Sequence, residues 1–377
     1  MNKSILFVNQ SSGYLMIDII NAHVPYYDII VLFTGFLNPR ETPLHPKVKV
    51  VKGLKYKRTS SMQRKLTWLG FWLQSLFYVF LKYRNHTLYF VSNPPLNIFT
   101  AKLTKRNFAF LVYDIYPEAL SKYNFLNENS YFFKYWQSTN QKVYNKAISV
   151  FTISEGMKNA MNYHGNYDDK IDIVPVWTNN NFFKDIPASN NKFLSINNIK
   201  DKFIVSYSGN LGKSHPTEKI IDIAQNLKFE NDIVFLIIGN GDKKNILLNK
   251  QKQLSLPNLK ILDYQPIALF PHVLAATNIG IITSDQKAGD LNVPSKTFNL
   301  MSAGKPILSI ANASSELAKI VTENEIGKNF DEQQIKEMSN FILKLKNNKY
   351  LYEMLKKQSQ KTSLKYHPDN AKKMILR

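Results

Sequence analysis

The chain has 377 residues and no cysteine, which excludes a disulfide framework, thiolate catalysis and cysteine-ligated zinc. Its hydrophobic content of 44% excludes general disorder, and its length favours two domains over one. The formal net charge of +21 predicts an anionic partner, and nucleic acid and an anionic membrane surface are the two candidates.

The first half of the chain alternates short apolar runs with helix-length segments. The first run, residues 5–8, is too short for the core of a secretory signal and is typical of a buried strand. The runs that follow it are 29–33, 48–51, 88–91, 108–113, 150–153 and 171–175. Such near-continuous apolar strands predict a parallel sheet that is covered on both faces.

A basic segment interrupts this series. No acidic residue occurs between Glu41 and Asp114, whereas 13 Lys and Arg do, eight of them within 47–65. The apolar stretch 66–83 that follows is too short and too polar for a typical membrane-spanning helix, and it suits either a helix at the lipid headgroup boundary or a buried helix. The residues predicted to face the membrane, and any substrate bound on that side, are Lys55, Lys57, Arg58, Arg64, Lys65, Trp68 and Trp72.

A second α/β series follows the polar run 179–202, which we interpret as an interdomain connection. Its predicted strands are 203–208, 233–238, 259–262, 279–283 and 306–310. The expected architecture is two doubly wound, Rossmann-like domains, 1–180 and 195–350, that face a ligand-binding cleft. The helical residues 351–377 either stay on the second domain or cross back to the first.

Polar turns follow three strands of the second series. Glycines directly after a strand let the backbone approach a ligand closely, and a polar aromatic turn suits a flat base. The residues concerned are Gly209, Asn210 and Lys213, then Gly239 and Gly241, then Asp263, Tyr264 and Gln265. Any one of these turns is also compatible with an ordinary strand end, but together they favour a nucleotide diphosphate.

The strongest signal lies in residues 294–306. Pro294, Ser295 and Thr297 are typical of a helix start, where free backbone N–H groups attract an anion, and Lys296 adds a positive charge. An ordinary capped crossover helix is the alternative, but normal capping does not require Lys296.

Several motifs in chain order resemble the retaining, GT-B-fold glycosyltransferases of family four. The similarity is greatest to the fucosaminyltransferase-like enzymes of bacterial capsule and O-antigen assembly. The matching segments are 92–95, 112–118, 152–157, 208–212, 235–241, 257–259, 293–298 and 304–306.

The resemblance implies roles for individual positions. The turn 209–213 and the helix start 295–297 would hold the donor diphosphate, and the loop 263–265 would face the base. Asn299 stands where many relatives have a glutamate that binds ribose, and Asp114, with Glu118 nearby, lies on the acceptor side.

The chain also departs from the family pattern. Two glutamates of the family pattern are absent from this chain. Leu291 stands at the first of these positions and Asn299 at the second. The positions at which the family has a basic pair are Asn210 and His215 in this chain. The N-terminal glycine-rich loop is reduced to Ser11, Ser12 and Gly13, and Gly13 is the residue of this loop that is predicted to bind the donor.

These observations predict a hexosyl- or N-acetylhexosaminyl-type glycosyltransferase with a UDP-sugar donor and a polyprenyl-diphosphate-linked saccharide acceptor. We expect retention of configuration through front-face attack, with Lys296 and Asp114 as the catalytic candidates and no metal or cofactor. The protein would be cytoplasmic and bound peripherally to the inner face of the cell membrane, where it would serve polysaccharide biosynthesis.

Three alternatives remain at this point. A nucleotide-sugar epimerase can use a similar two-domain fold but normally carries several acidic residues and histidines in its cleft. A basic nucleic-acid-binding protein would explain the charge but not the glycine turns. An inactive partner of an active transferase would explain the loss of acids at Leu291 and Asn299.

Overall fold

The computed structural model describes residues 3–39, 42–57, 60–122, 124–163, 165, 167, 169–180, 186–213, 215–284 and 293–376. The chain forms two compact units. The first domain consists of Met1–Val176 together with Pro368–Arg377, and the second is Trp177–His367.

The first domain is built on a seven-stranded parallel sheet. Its strands are β1 (Ser4–Val8), β2 (Ser11–Ser12), β3 (Ile29–Thr34), β4 (Phe36–Leu37), β5 (Val48–Lys52), β6 (Thr87–Val91), β7 (Phe108–Val112), β8 (Ser149–Thr152) and β9 (Ile171–Ile173). Its helices are α1 (Tyr14–His23), α2 (Ser61–Phe77), α3 (Asn97–Leu103), α4 (Glu118–Ser121), α5 (Tyr131–Lys146) and α6 (Glu155–Asn162).

The order of the strands in this sheet is β5-β3-β1-β6-β7-β8-β9, while β2 and β4 form a separate pair. Every pairing in the sheet is parallel. All five residues of β7 are buried, because a central strand with helices on both faces has no solvent side. The parallel sheet predicted from the apolar runs is therefore confirmed.

Helix α2 is apolar on two sides. Ser60 begins it by accepting a hydrogen bond from the Gln63 backbone N–H, and Phe71 packs inward against Phe33 with ring centroids 4.5 Å apart. Its other side carries five exposed apolar side chains at spacings of three or four residues, which places them on one face. This apolar stripe of α2 consists of Met62, Leu66, Leu69, Leu73 and Phe77.

The helix therefore contributes to the core without being fully buried. A short π-helical turn, Tyr78–Lys82, continues it, so the element covers most of the predicted stretch 66–83. Within the described residues, no helix combines the length and the apolar character that crossing a membrane requires.

The last residues of the chain belong to the first domain. The Leu376 backbone N–H donates to Nε2 of His23 at 3.2 Å, and the Tyr27 hydroxyl donates to the Leu376 carbonyl at 3.1 Å. Burial lowers the pKa of His23 to about 4, so its ring is neutral, with Nδ1–H donating to the Ile19 carbonyl and Nε2 free to accept. Leu376 thus provides hydrogen-bond partners for His23, the last residue of α1, and for the nearby Tyr27.

The second domain repeats the parallel architecture with a six-stranded sheet. Its strands are β10 (Phe203–Ser208), β11 (Ile233–Ile238), β12 (Leu259–Leu262), β13 (Ile279–Thr283), β14 (Ile307–Ile310) and β15 (Gly327–Phe330). Its helices are α7 (Lys192–Asn197), α8 (Glu218–Asn226), α9 (Lys244–Gln253), α10 (Phe270–Ala276), α11 (Lys296–Ser302), α12 (Glu316–Glu323), α13 (Ile335–Asn347) and α14 (Lys349–Ser363).

The strand order β12-β11-β10-β13-β14-β15 defines where a ligand binds in this domain. The direction of winding reverses between β10 and β13. In open parallel sheets the loops at the carboxyl ends of the strands separate at such a point and leave a crevice. The sequence signals after β10 therefore lie at the topological switch point of the sheet.

The polar run 179–202 is not a simple interdomain connection. It contains α7, whose Phe193 and Leu194 are buried against Ile204 and Leu236 of the second sheet. Asn191 begins this helix by accepting hydrogen bonds from the backbone N–H groups of Phe193 and Leu194. The short helix escaped sequence analysis because only a few apolar residues interrupt the polar run.

Candidate functional site

A concave site of about 300 Å³ opens at the carboxyl edge of the second sheet. Five segments of the second domain form it: the end of β10, the end of β11, the loop after β12, the first turn of α10, and the start of α11. The residues that line it are Ser208, Gly209, Asn210, Ile238, Tyr264, Gln265, Phe270, Val273, Ser295, Lys296 and Asn299.

Two glycine turns pack directly on each other beside this site. The Gly209 N–H donates to the Ile238 carbonyl and the Leu211 N–H donates to the Asn240 carbonyl, both at 2.9 Å. A Cβ atom on Gly239 would lie only 1.9 Å from the Gly209 carbonyl oxygen. Gly241 has a φ of +148°, a region that side chains disfavour. Gly239 and Gly241 thus shape the Gly209 turn and do not line the site.

Lys296 reaches from α11 to the turn that follows β10. Its Nζ lies 3.7 Å from the ring centroid of the buried Tyr207, whose hydroxyl donates to the Asn210 carbonyl at 2.7 Å. Desolvation of the ammonium lowers the pKa of Lys296 to about 7. An aromatic face is a weak partner for an ammonium ion compared with a phosphate oxygen. The lysine is therefore positioned to gain an anionic partner.

The start of α11 has fewer free backbone N–H groups than the sequence predicts. The helix has only seven residues, and the backbone N–H groups of Thr297 and Phe298 donate to the carbonyls of Pro294 and Ser295. The Thr297 side chain is fully buried and does not line the site. The helix contributes Ser295, Lys296 and Asn299 to the site.

Asn299 lies at the inner wall of the site. It is 8% exposed, and its Oδ1 accepts a hydrogen bond of 2.8 Å from the Thr178 hydroxyl. Among the described residues no acceptor pairs with the Asn299 amide N–H₂, a donor that a glutamate carboxylate at this position would not provide. Sequence analysis missed Thr178, because more than a hundred residues separate it from its partner.

The loop after β12 supplies the aromatic side of the site. Tyr264 is 54% exposed, and Gln265 donates from Nε2 to the Asp263 carbonyl at 2.9 Å. Asp263 forms an ion pair with Lys244 and does not line the site. Phe270 and Val273 complete the wall, although nothing in their local sequence distinguishes them from core residues.

The other predicted donor-binding residues lie elsewhere. Lys213 is exposed and does not line the site. Gly13 precedes α1 in the first domain, with a φ of −94° and nothing within 4 Å of the position of a Cβ.

The two acceptor-side acids also belong to the first domain. Asp114 follows β7, is exposed, and donates from its backbone N–H to the Ser92 hydroxyl at 3.2 Å. The Glu118 carboxylate accepts from Gln137 Nε2 at 2.9 Å. Leu291 lies outside the described residues.

The residues predicted to face a membrane fall into two groups. Lys55, Lys57 and Lys65 are exposed, whereas Arg64, Trp68 and Trp72 are half-buried. Arg58 lies outside the described residues.

The family model of the glycosyl transferases group 1 matches residues 189–362. The matched segment, a little under half of the chain, is similar to a group 1 glycosyltransferase domain. It contains every residue that lines the site at the carboxyl edge of the second sheet.

Comparison with individual proteins agrees with this result. The chain is 26% identical over 242 residues to the probable glycosyltransferase WbjE of Pseudomonas aeruginosa; the match covers 63% of this chain and 60% of WbjE. The matched part of the chain thus spans less than two thirds of that relative.

Two solved structures share the fold. HepE of Anabaena, solved with UDP and glucose, has a TM-score of 0.69 and 15% identity over 98% of this chain and 97% of its own. WaaG, a glycosyltransferase of lipopolysaccharide biosynthesis, has a TM-score of 0.71 and 12% identity over 98% of this chain and 99% of its own. The predicted pair of doubly wound α/β domains, the GT-B fold, is confirmed.

Proposed function

We propose that this protein transfers a hexosyl or N-acetylhexosaminyl residue from a UDP-sugar to a lipid-linked saccharide during polysaccharide synthesis, with retention of configuration. The observation that carries the proposal is the position of Lys296, whose ammonium lies against the glycine turn at the switch point of the second sheet. UDP and glucose bound to HepE, a protein of the same fold, support the choice of donor.

The proposed reaction uses the site as a clamp for the leaving group. The acceptor hydroxyl oxygen bonds to the anomeric carbon of the sugar on the face from which the diphosphate departs, and the bond from that carbon to the phosphate oxygen breaks. The hydroxyl proton passes to the departing UDP. Lys296 and the Ser295 hydroxyl stabilise the charge that develops on the diphosphate, which positioned donors do without a metal. Asp114 orients the acceptor.

The binding of UDP tests the donor assignment. We expect UDP to raise the melting temperature of the protein more than ADP or GDP at equal concentration, because HepE, which shares the fold, was solved with UDP; Tyr264 and Gln265 offer the base a polar aromatic wall. Stabilisation should persist in EDTA. Equal stabilisation by all three diphosphates would contradict a UDP-specific site, and the absence of any stabilisation would contradict the donor site.

The acceptor assignment depends on the surface of α2. Its apolar stripe lies between two basic regions of the sequence, and Lys55, Lys57 and Lys65 are exposed. An exposed apolar helix face with flanking cations suits insertion at an anionic headgroup boundary. We therefore propose that α2 holds the enzyme at the membrane surface where a lipid-linked acceptor lies.

Replacing two members of the stripe tests the membrane assignment. We expect Leu66→Glu with Leu73→Glu to lower retention on phosphatidylglycerol vesicles about tenfold or more in co-sedimentation, since each exposed leucine that inserts contributes about 1 kcal/mol or more. Ile196→Glu, a change at a 66% exposed apolar residue of the second domain, is the matched control and should have little effect. Equal retention of both variants would contradict the proposal.

A further inference from the structure

A second cavity, of about 350 Å³, lies in the first domain beside α2. Its walls come from α2, from the start of α5, from the segment before α3 and from the residues at and after α4. The aromatic members of its lining are Trp68, Phe125, Phe132 and Trp136. Small-molecule sites typically occupy about 300–1,000 Å³ and have mostly apolar and aromatic walls with few polar groups. This α2 cavity therefore has the size and the composition of a ligand site.

The rim of the α2 cavity is apolar and open to solvent. Leu69 of α2, Phe125 after α4 and Phe132 of α5 all line the cavity, and all three side chains are exposed. Apolar surface gains free energy when a ligand displaces the water that covers it, and an apolar hollow takes up apolar molecules for this reason. The part of a ligand that enters the cavity must therefore be apolar.

The charged members of the lining lie on one turn of α2. They are Arg64 and Lys65, and the next lining residues on this face of the helix follow four positions later, about 6 Å along its axis. The guanidinium carbon of Arg64 lies 5.9 Å from the ring centroid of Phe125, which places this cation against the cavity wall. Among the described residues that line the cavity, none is acidic. The cavity thus offers cations at one end of its α2 wall and apolar side chains beyond them.

The cavity is continuous with the surface that we propose to contact the membrane. Leu69 belongs both to the apolar stripe of α2 and to the lining of the cavity. With α2 at the headgroup boundary, the cavity lies at the depth where the phosphate of a phospholipid joins its chains. Arg64 and Lys65 suit that phosphate, because cations form strong hydrogen bonds to phosphate oxygens.

We propose that the α2 cavity takes up one fatty-acyl chain of an anionic phospholipid, whose phosphate is bound by Arg64 and Lys65. The lipid is a component of the membrane and not the sugar acceptor. A zwitterionic phospholipid is disfavoured, because its ammonium group would lie close to two cations of the protein. The inference rests on the proposed membrane contact of α2, to which it adds a specific lipid site. It does not depend on which donor or acceptor the enzyme uses.

Calorimetric titration of the full chain with decanoyl lysophosphatidylglycerol, below its critical micelle concentration, tests the cavity without a bilayer. We expect saturable binding of a single lipid per protein chain. Decanoyl lysophosphatidylcholine has the same acyl chain and should bind about tenfold more weakly, and glycerol phosphate, which has no chain, about 100-fold more weakly. Equal affinity for either comparison compound, or no binding of the anionic lysolipid, would overturn the proposal.

Variants that fill the cavity locate the acyl chain. Leu96 and Leu120 line the cavity and are half-buried, so Leu96→Trp and Leu120→Trp should each place a larger side chain in the space that the chain needs. Each should weaken lysophosphatidylglycerol binding by about tenfold or more. Leu73→Trp makes the same change on the stripe of α2 outside the lining and should alter the affinity by about twofold at most. Unchanged affinity in both cavity variants, or an equal loss in Leu73→Trp, would overturn the assignment.

A charge variant tests the head group by a ratio of affinities. Arg64→Gln with Lys65→Gln should reduce the preference for lysophosphatidylglycerol over lysophosphatidylcholine from about tenfold to about twofold or less. Both affinities are measured on the same variant, so a general loss of stability does not imitate this result. Lys134→Gln removes an exposed lysine of α5 that does not line the cavity and should retain the preference. A full preference in the double variant would overturn the role of the two cations.

Two further measurements separate this inference from the proposed function. Leu66→Glu with Leu73→Glu should lower vesicle retention and still bind the monomeric lysolipid, because neither leucine lines the cavity. A protein that UDP stabilises but that binds no lysolipid would retain the donor site and lose the cavity assignment. A protein that binds the lysolipid but not UDP would contradict the transferase proposal and leave the lipid site in place.

Discussion

Lys296→Met should lower the affinity for UDP by about 100-fold and the rate of sugar transfer by about 10²–10³-fold, the range found when a donor to a developing charge is removed. The thermal stability of the unliganded protein should stay the same or rise. Met has a similar length and needs no hydration, whereas the Lys296 ammonium is desolvated against Tyr207. Titration calorimetry and thermal unfolding of the same sample measure both effects.

The charge state of Lys296 adds a pH dependence to this prediction. Desolvation sets the pKa of Lys296 at about 7, so above pH 7 the amine is mostly neutral and must take up a proton when a diphosphate binds. The affinity for UDP should therefore fall as the pH rises from about 7.5 to 9, by up to about tenfold per unit. Titrations at pH 8 in buffers of different ionisation enthalpy should reveal the uptake of nearly one proton.

Lys213→Met is the matched control for Lys296, because it removes an exposed lysine from the same glycine turn without touching the lining of the site. It should change UDP affinity by about twofold at most, as expected for a solvent-exposed charge. If Lys213→Met were as damaging as Lys296→Met, or if proton uptake were absent in the wild type, the clamp would have been assigned to the wrong lysine.

Gly239→Ala should destabilise the second domain severely. The added Cβ would lie 1.9 Å from the Gly209 carbonyl oxygen, and the obstacle is backbone and not the end of a flexible side chain. We expect a loss of about 3 kcal/mol or more, at or beyond the upper range for overpacked positions, together with loss of UDP binding because the Gly209 turn must move. Calorimetric scans with and without UDP measure both losses.

Gly13→Ala provides the comparison for Gly239→Ala. Gly13 has an ordinary φ of −94° and no atom within 4 Å of a Cβ position, so alanine should change stability by about 0.5 kcal/mol at most. A normal melting profile for Gly239→Ala would show that the two turns are not packed as the structure has them. A loss of UDP binding in Gly13→Ala would support its predicted place in the donor site.

The strands of the second domain could be predicted from sequence because their signal is local. β10, β11, β12 and β13 begin and end where the apolar runs do, since each run is followed by a glycine or polar turn and all but the edge strand β12 are largely buried. β15 was missed, because Gly327–Phe330 pairs only with β14 at the edge of the sheet and carries little apolar character.

The site was accessible to sequence analysis where its residues follow strands directly. Gly209 and Asn210 were found in this way, Lys296 was found from the helix-start pattern, and Asn299 was found from the family resemblance; all four line one pocket. Contacts between distant segments were not accessible: the bond from Thr178 to Asn299 and the approach of Lys296 to Tyr207 depend on how the chain folds back. The anion site expected from free N–H groups at 295–297 is smaller than predicted, because a short helix uses the Thr297 N–H internally.

The return of residues 368–377 to α1 makes the first domain discontinuous along the chain, with the whole second domain inserted between Val176 and Pro368. During synthesis the second domain can finish folding while His23 of α1 and the nearby Tyr27 still lack their hydrogen-bond partner, the backbone of Leu376. The domain that is translated first is therefore completed last. A fragment that ends at Val176 would leave a buried histidine without its partner, whereas Trp177–His367 is continuous and can be produced as one piece.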